Sequence, residues 1–261
     1  MTRIPSERIA FGFVACLLLA SCAGRETRDA DAVDALGTGS PEGPGDVYVA
    51  MAGEYLRRGQ LDVALRRARK GVEEDGGNAR AHYMLALVYE RVGEAALAER
   101  HFGEAVRLAP QDPMVRNAWG THFCRQKRYR EAQEQFDKAA SSPLYRTPWV
   151  ALTNAGTCAR QAGDRAKAES YLRRALEANP RFGPSLLELA SLSVENGDYG
   201  SARTYLDDYF QSASATPEAL ALAVRVERRL GSRERAADYE QMLRESFPTS
   251  PETESLHFSS R

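Results

Sequence analysis

The chain has 261 residues, 35 of them basic and 36 acidic, for a formal net charge of −1. That balance lacks the electrostatic footprint of a nucleic-acid-binding protein. The four cysteines, Cys16, Cys22, Cys124 and Cys158, form no CxxC pair and no cluster with histidine at metal-ligand spacing. Abundant Ala, Leu, Glu and Arg favour helix throughout.

The N-terminus reads as an address. Arg3 and Arg8 flank a mostly apolar run over residues 9–20. That run is shorter than the roughly 20 residues a spanning helix needs and matches the apolar region of a signal peptide. It closes on "LASC", residues 19–22, which resembles the bacterial lipobox. The resemblance implies a signal peptide over 1–21, cleavage before Cys22, and acylation of that cysteine. Residue 23 is Ala rather than Asp. Under the sorting rule of such lipoproteins, this implies the periplasmic face of the outer membrane. Several acyl chains give firm anchoring, at about 0.8 kcal/mol per buried methylene. Residues 22–45 are rich in Gly, Pro, Ser, Asp and Ala and read as a flexible tether with a span on the order of 25 Å.

From residue 46 to 250 the chain repeats. Gly59, Gly93, Gly163, Gly197 and Gly231 each separate two helical patterns. The spacing is 34 residues from Gly59 to Gly93, from Gly163 to Gly197 and from Gly197 to Gly231. Lys127 occupies the place of the missing glycine. The period, and the large–small pattern around each turn, resemble the tetratricopeptide repeat, a helix–turn–helix unit. The second unit carries the pattern most fully, with Leu85, Ala86, Tyr89, Gly93, Ala98, Phe102, Ala105 and Pro110. Small residues let two antiparallel helices approach, and large ones fill the space beside them. Six units follow, at about 45–78, 79–112, 113–146, 149–182, 183–216 and 217–250. Thr147 and Pro148 lengthen the connection after the third. The expected fold is an all-α, right-handed superhelical solenoid of about six such repeats, followed by a polar tail over 251–261.

No catalytic constellation stands out: there is no GxSxG, HExxH or nucleotide fingerprint. His122 and Cys124 lie close in sequence, but nothing completes a zinc ligand set. No enzyme activity, cofactor or metal is therefore expected. A binding scaffold remains, whose concave face is built from the first helix of each repeat. In this register the concave candidates are Tyr83, Leu87 and Arg91 in the second repeat, and Asn117, Thr121 and Arg125 in the third. Tyr83 and Leu87 either form an apolar peptide groove or pack on a neighbouring helix.

The segments "VRNAWGTHFCRQKRYREAQEQFDKA", "SSPLY" and "ALTNAGTCARQAGDRAKAESYLRRAL" give a closer resemblance. Together with the lipobox and tether, they resemble the type IV pilus biogenesis/stability lipoproteins, the pilotins. The resemblance implies a six-repeat solenoid that binds the pilus secretin subunit and promotes its outer-membrane localisation and multimerisation. The alternative is a general periplasmic adaptor for envelope assembly or peptidoglycan enzymes. In this reading Cys16 leaves with the signal peptide and Cys22 is acylated. Cys124 and Cys158 remain, on the first helices of consecutive repeats, in an oxidising compartment. They are expected to form a disulfide stapling repeats three and four; the alternative is two buried thiols.

Overall fold

The computed structural model describes residues 43–258, which hold thirteen helices and no strand. The expected signal peptide, Cys22 and nearly all of the tether lie outside the described residues. Six antiparallel helix pairs follow in order: α1 (Pro44–Arg57) with α2 (Leu61–Glu74), α3 (Ala79–Val92) with α4 (Ala95–Leu108), and α5 (Pro113–Arg125) with α6 (Tyr129–Ala140). Then come α7 (Pro148–Gln161) with α8 (Arg165–Ala178), α9 (Gly183–Glu195) with α10 (Tyr199–Ser212), and α11 (Pro217–Arg229) with α12 (Arg233–Ser246). A last helix, α13 (Pro251–Phe258), packs on α11 and α12. Among these helices none is long and apolar enough to cross a membrane.

Local chemistry starts the helices. Proline opens α1, α5, α7 and α11, where its missing N–H has no intrahelical carbonyl to meet. Thus α1 begins at Pro44, just before the boundary that composition suggests, and Pro148 belongs to α7 rather than to the loop. The Asn78 carboxamide oxygen accepts the N–H groups of Arg80 and Ala81, and Asp112 accepts those of Met114 and Val115. Asp164 and Asp198 cap α8 and α10 in the same way.

The turn inside each repeat is a left-handed residue. Gly59, Gly93, Gly163, Gly197 and Gly231 have φ between 68° and 92°. In the third repeat Lys127 adopts φ 60°, the one positive φ outside glycine among the described residues. Its turn closes like its neighbours': Lys127 N–H donates to Cys124 O at 2.9 Å and Arg128 N–H to Phe123 O at 2.9 Å. The equivalent bonds at Gly163 and Asp164 run to Arg160 O and Ala159 O.

Packing inside each pair depends on small residues. Ala64, Ala68, Ala98, Ala105, Ala132, Ala168, Ala175 and Ala202 are wholly buried. At Gly120 and Gly156 the approach is closer still. A Cβ on Gly120 would lie 2.7 Å from the Phe136 ring, and one on Gly156 would lie 2.6 Å from Leu172 Cγ. These two glycines sit on α5 and α7 and allow Phe136 and Leu172 to lie against helix backbone.

The stack is continuous and curved. Each second helix packs on the first helix of the next repeat. First helices also touch one another, as in α1 with α3, α5 with α7, α7 with α9 and α9 with α11. No two second helices share more than a marginal contact among the described residues. Closer spacing of the first helices places them on the inner, concave side.

One region differs from the sequence expectation, and a second, the expected longer loop after the third repeat, adds detail to it. The tail expected after residue 250 is polar, but its first part is the helix α13. The Ser250 hydroxyl accepts the Thr253 N–H, and Thr253 is buried with its hydroxyl donating to Phe247 O at 2.7 Å. Ser before Pro, with Glu252 and Glu254 in the first turn, is a helix-starting pattern. The second region is the lengthened connection over 141–147. It buries most of Tyr145, whose hydroxyl is pushed up to about 12 chiefly by desolvation. It leaves Leu144 outward, 69 % exposed.

Candidate partner-binding groove

The concave face changes character along its length. In the second and third repeats the candidate residues are largely satisfied by the protein itself. Tyr83 is not on the open surface: it is 1 % exposed and faces the Phe102 ring at 6.2 Å between centroids. The expectation that it lines a groove is corrected here. The core that includes Val49 and Ala52 of α1 and Phe102 of α4 closes over it. Leu87 is half-buried and packs on the same core. Arg91 is half-buried and already engaged.

Asn117, Thr121 and Arg125 do lie along the first helix of the third repeat, but each has a partner. Asn117 Oδ1 accepts from Asn154 Nδ2 at 3.0 Å, tying the third repeat to the fourth. Thr121 Oγ1 donates to Asn117 O at 3.1 Å. Arg125 Nη1 lies 3.1 Å from Glu90 Oε2. Glu90 also receives His122 Nδ1 at 3.1 Å. His122 is fully buried against Phe102 and Phe123, so its role is in the joint between repeats two and three. Among the described residues no group of three or more His, Cys, Asp or Glu is arranged to hold a metal.

Cys124 and Cys158 are joined by a disulfide, with Cα atoms 5.8 Å apart. That separation lies in the usual range for a disulfide. The bond links α5 to α7 beside the Asn117–Asn154 contact. Two adjacent first helices are thus fixed twice, by a covalent and a polar contact.

The fourth to sixth repeats present a different surface. A groove of about 770 Å³ runs between α7, α9, α11 and α13. Leu187, Ala221 and Leu222 supply apolar lining, and Arg160, Arg225 and Arg229 are among the charged residues around it. Arg160 is held in place by Glu188 (Nη2–Oε2 3.0 Å) and Glu195 (Nη1–Oε1 2.7 Å), an ion-pair bridge between repeats four and five. Beneath the groove the Glu227 side chain is 2 % exposed and paired to Arg203 and Arg235. A buried carboxylate with two guanidinium partners is satisfied, and it locks α10, α11 and α12 together. Sequence alone does not single these arginines out. The available signal was "RVERR", residues 225–229, which places Arg225 and Arg229 one turn apart on a first helix.

A further polar cluster lies where the first repeat meets the second. His82 Nδ1 and His101 Nδ1 are 3.0 Å apart, and His82 Nε2 lies 3.2 Å from Gly76 O. A carbonyl can only accept, so Nε2 of His82 carries its proton. Nδ1 of neutral His82 is then the acceptor, and His101 Nδ1–H donates to it. Desolvation is the main cause that pushes His101 down to about 4; a second proton on the histidine pair would also repel the first, and the Arg100 charge adds to this. Tyr89 stacks on His101 at 5.5 Å, and Arg69 donates to the Tyr89 hydroxyl at 3.1 Å.

Known proteins share this architecture. Sequence profiles described as tetratricopeptide repeat match residues 49–113, 117–184 and 159–226. The type IV pilus assembly protein PilF of Pseudomonas aeruginosa is 30 % identical over 207 residues, 79 % of this chain and 82 % of that protein. Among solved structures, PilW, a widely conserved type IV pilus biogenesis factor, is 29 % identical with a TM-score of 0.74. The alignment covers 83 % of this chain and 99 % of PilW. The structure of Pseudomonas aeruginosa PilF is 28 % identical with a TM-score of 0.69 over 89 % of this chain and 99 % of that one.

Proposed function

The chain belongs to the type IV pilus biogenesis family of tetratricopeptide-repeat proteins, and on that footing we propose that it is an outer-membrane lipoprotein scaffold that binds the pilus secretin subunit. The carrying observation is the similarity to PilF and PilW over nearly the whole of the solenoid. The lipobox cysteine, Cys22, supports the membrane half of the proposal. Acyl chains on Cys22 hold the solenoid at the periplasmic face of the outer membrane. The segment between Cys22 and α1 serves as a tether that lets the solenoid sample secretin subunits near the bilayer. Holding both partners on one surface raises their effective concentration and so favours insertion and multimerisation without catalysis.

The test is genetic and biochemical. Deleting the gene removes surface pili and heat-stable secretin multimers. Cys22→Ala, carried on a plasmid with the signal peptide intact, fails to restore them and leaves the outer-membrane fraction. Normal multimers in the deletion strain would overturn the proposal. Recovery of peptidoglycan hydrolases, and no secretin, in a pull-down from detergent-solubilised membranes would favour the general adaptor instead.

A further inference from the structure

The groove between repeats four and six contains two cations that no carboxylate among the described residues neutralises. Four arginines border it: Arg160, Arg225, Arg228 and Arg229. Arg160 is held by Glu188 and Glu195, and Arg228 by Glu240 at 2.7 Å. Arg225 has no carboxylate partner among the described residues, and Arg229 meets only the Tyr199 ring, 5.8 Å from its centroid. Both guanidiniums are exposed. They lie one turn apart on α11, on the stripe that carries Leu222 and Ala221 toward the groove. The acidic residues that border the groove are Glu188, already bound, with Glu218 and Glu252. Glu218 is in the first turn of α11, about 10 Å along the helix from Arg225. Along α11, therefore, Arg225 and Arg229 stand about two turns or more away from Glu218. In the second and third repeats, by contrast, Tyr83 is buried and Arg125 is tied to Glu90.

We infer that the receptive part of the concave face is this C-terminal groove, and that it takes an acidic segment of a protein partner with an apolar anchor. The inference rests on the reading of the chain as a protein-binding scaffold. The anchor sits on the half-buried Leu187 and Ala221, over the buried Leu222, and the partner's carboxylate side chains meet Arg225 and Arg229. Apolar burial supplies affinity, while the open arginines select against basic sequences and steer encounter. A flat anionic membrane fits less well, since the apolar lining is recessed between four helices.

The test uses the full-length acylated protein in detergent micelles. The probe is a fluorescein-labelled, C-terminally amidated peptide of alternating Leu and Glu turns, compared with the same peptide carrying Lys for Glu. The Glu peptide binds, and the Lys peptide binds at least about tenfold more weakly. Arg225→Glu with Arg229→Glu weakens the Glu peptide about tenfold or more and reverses the preference. Arg66→Glu with Arg130→Glu, the same charge change on second helices, leaves binding as in the wild type. Arg225→Gln alone gives an intermediate loss and guards against misfolding of the double variant, whose circular dichroism is checked. Equal binding of the two peptides, or no effect of the groove variants, would overturn the inference. So would arginine-dependent sedimentation with phosphatidylglycerol vesicles without peptide binding. Secretin co-purification with the wild type is read separately: its absence defeats the proposed function and leaves the peptide result to decide the groove.

Discussion

Lys127→Gly isolates the energetic cost of the one lysine among five glycines at equivalent turns. Lys127 has φ 60°, and its side chain is exposed with no ion pair or hydrogen bond among the described residues. An L-residue in the left-handed region costs about 1–2 kcal/mol relative to a right-handed conformation. Glycine adopts that region freely, but its wider unfolded ensemble costs about 0.5–1 kcal/mol. The turn's hydrogen bonds, from Lys127 N–H and Arg128 N–H, use backbone only and survive the change. The difference is a gain of about 0.5–1 kcal/mol. For a solenoid of about 200 residues this raises the midpoint by about 1–4 °C in differential scanning calorimetry. Repeat arrays open locally, so amide exchange in α5 and α6 should slow more than elsewhere. Gly163→Lys, at φ 82°, should cost a similar amount in the next repeat. A lowered midpoint for Lys127→Gly, with Gly163→Lys neutral, would refute the reasoning. It would mean that the lysine side chain contributes more than its backbone conformation costs.

Three further outcomes are expected. Reducing the Cys124–Cys158 disulfide, which closes a loop of 34 residues, should lower unfolding stability by about 3–4 kcal/mol in urea titrations; equal midpoints with and without reductant would show the staple to be energetically idle. Gly156→Ala should destabilise by about 1–2 kcal/mol, because overpacking against Leu172 exceeds the helix-propensity gain, whereas Gly103→Ala, with open space around the new methyl, should stabilise by about 0.5–1 kcal/mol; the same sign for both would contradict the close-approach account. The third concerns pH. His101 is neutral in the fold down to about 4, while an unfolded histidine takes a proton near 6.5. The unfolded chain therefore binds more protons between those values, and stability falls as pH drops from about 6.5 to 4. Because His101 is only half-buried, solvent screening limits the loss to about 1–2 kcal/mol. His101→Gln should flatten this part of the pH–stability curve; an unchanged slope would exclude the histidine pair as its source.

The sequence by itself determined the repeat period, the helix-pair order and the positions of the turns. These follow from local rules: glycine at left-handed positions, proline and short polar residues at helix starts, and alanine where two helices touch. Those rules act within a few residues and leave their mark at fixed spacing. Even the exception was legible, since Lys127 breaks the period at the place where a glycine is needed. The capping helix α13 carried its starting pattern too, although its polarity suggested a tail.

Only the tertiary structure decided which concave residues are open. Tyr83 and Ala221 both stand on first helices, yet Tyr83 is roofed by the first repeat's core while Ala221 stays half-open on the groove, above a buried Leu222. Likewise Arg125, Arg160 and Arg225 look alike as exposed helical arginines. They differ because Glu90 and Glu188 reach two of them from a neighbouring repeat and, among the described residues, no carboxylate reaches the third. The physical reason is that a repeat period sets each residue's direction, but its burial and its ion partner come from side chains about 30 residues away. Their distances depend on how closely successive helix pairs pack.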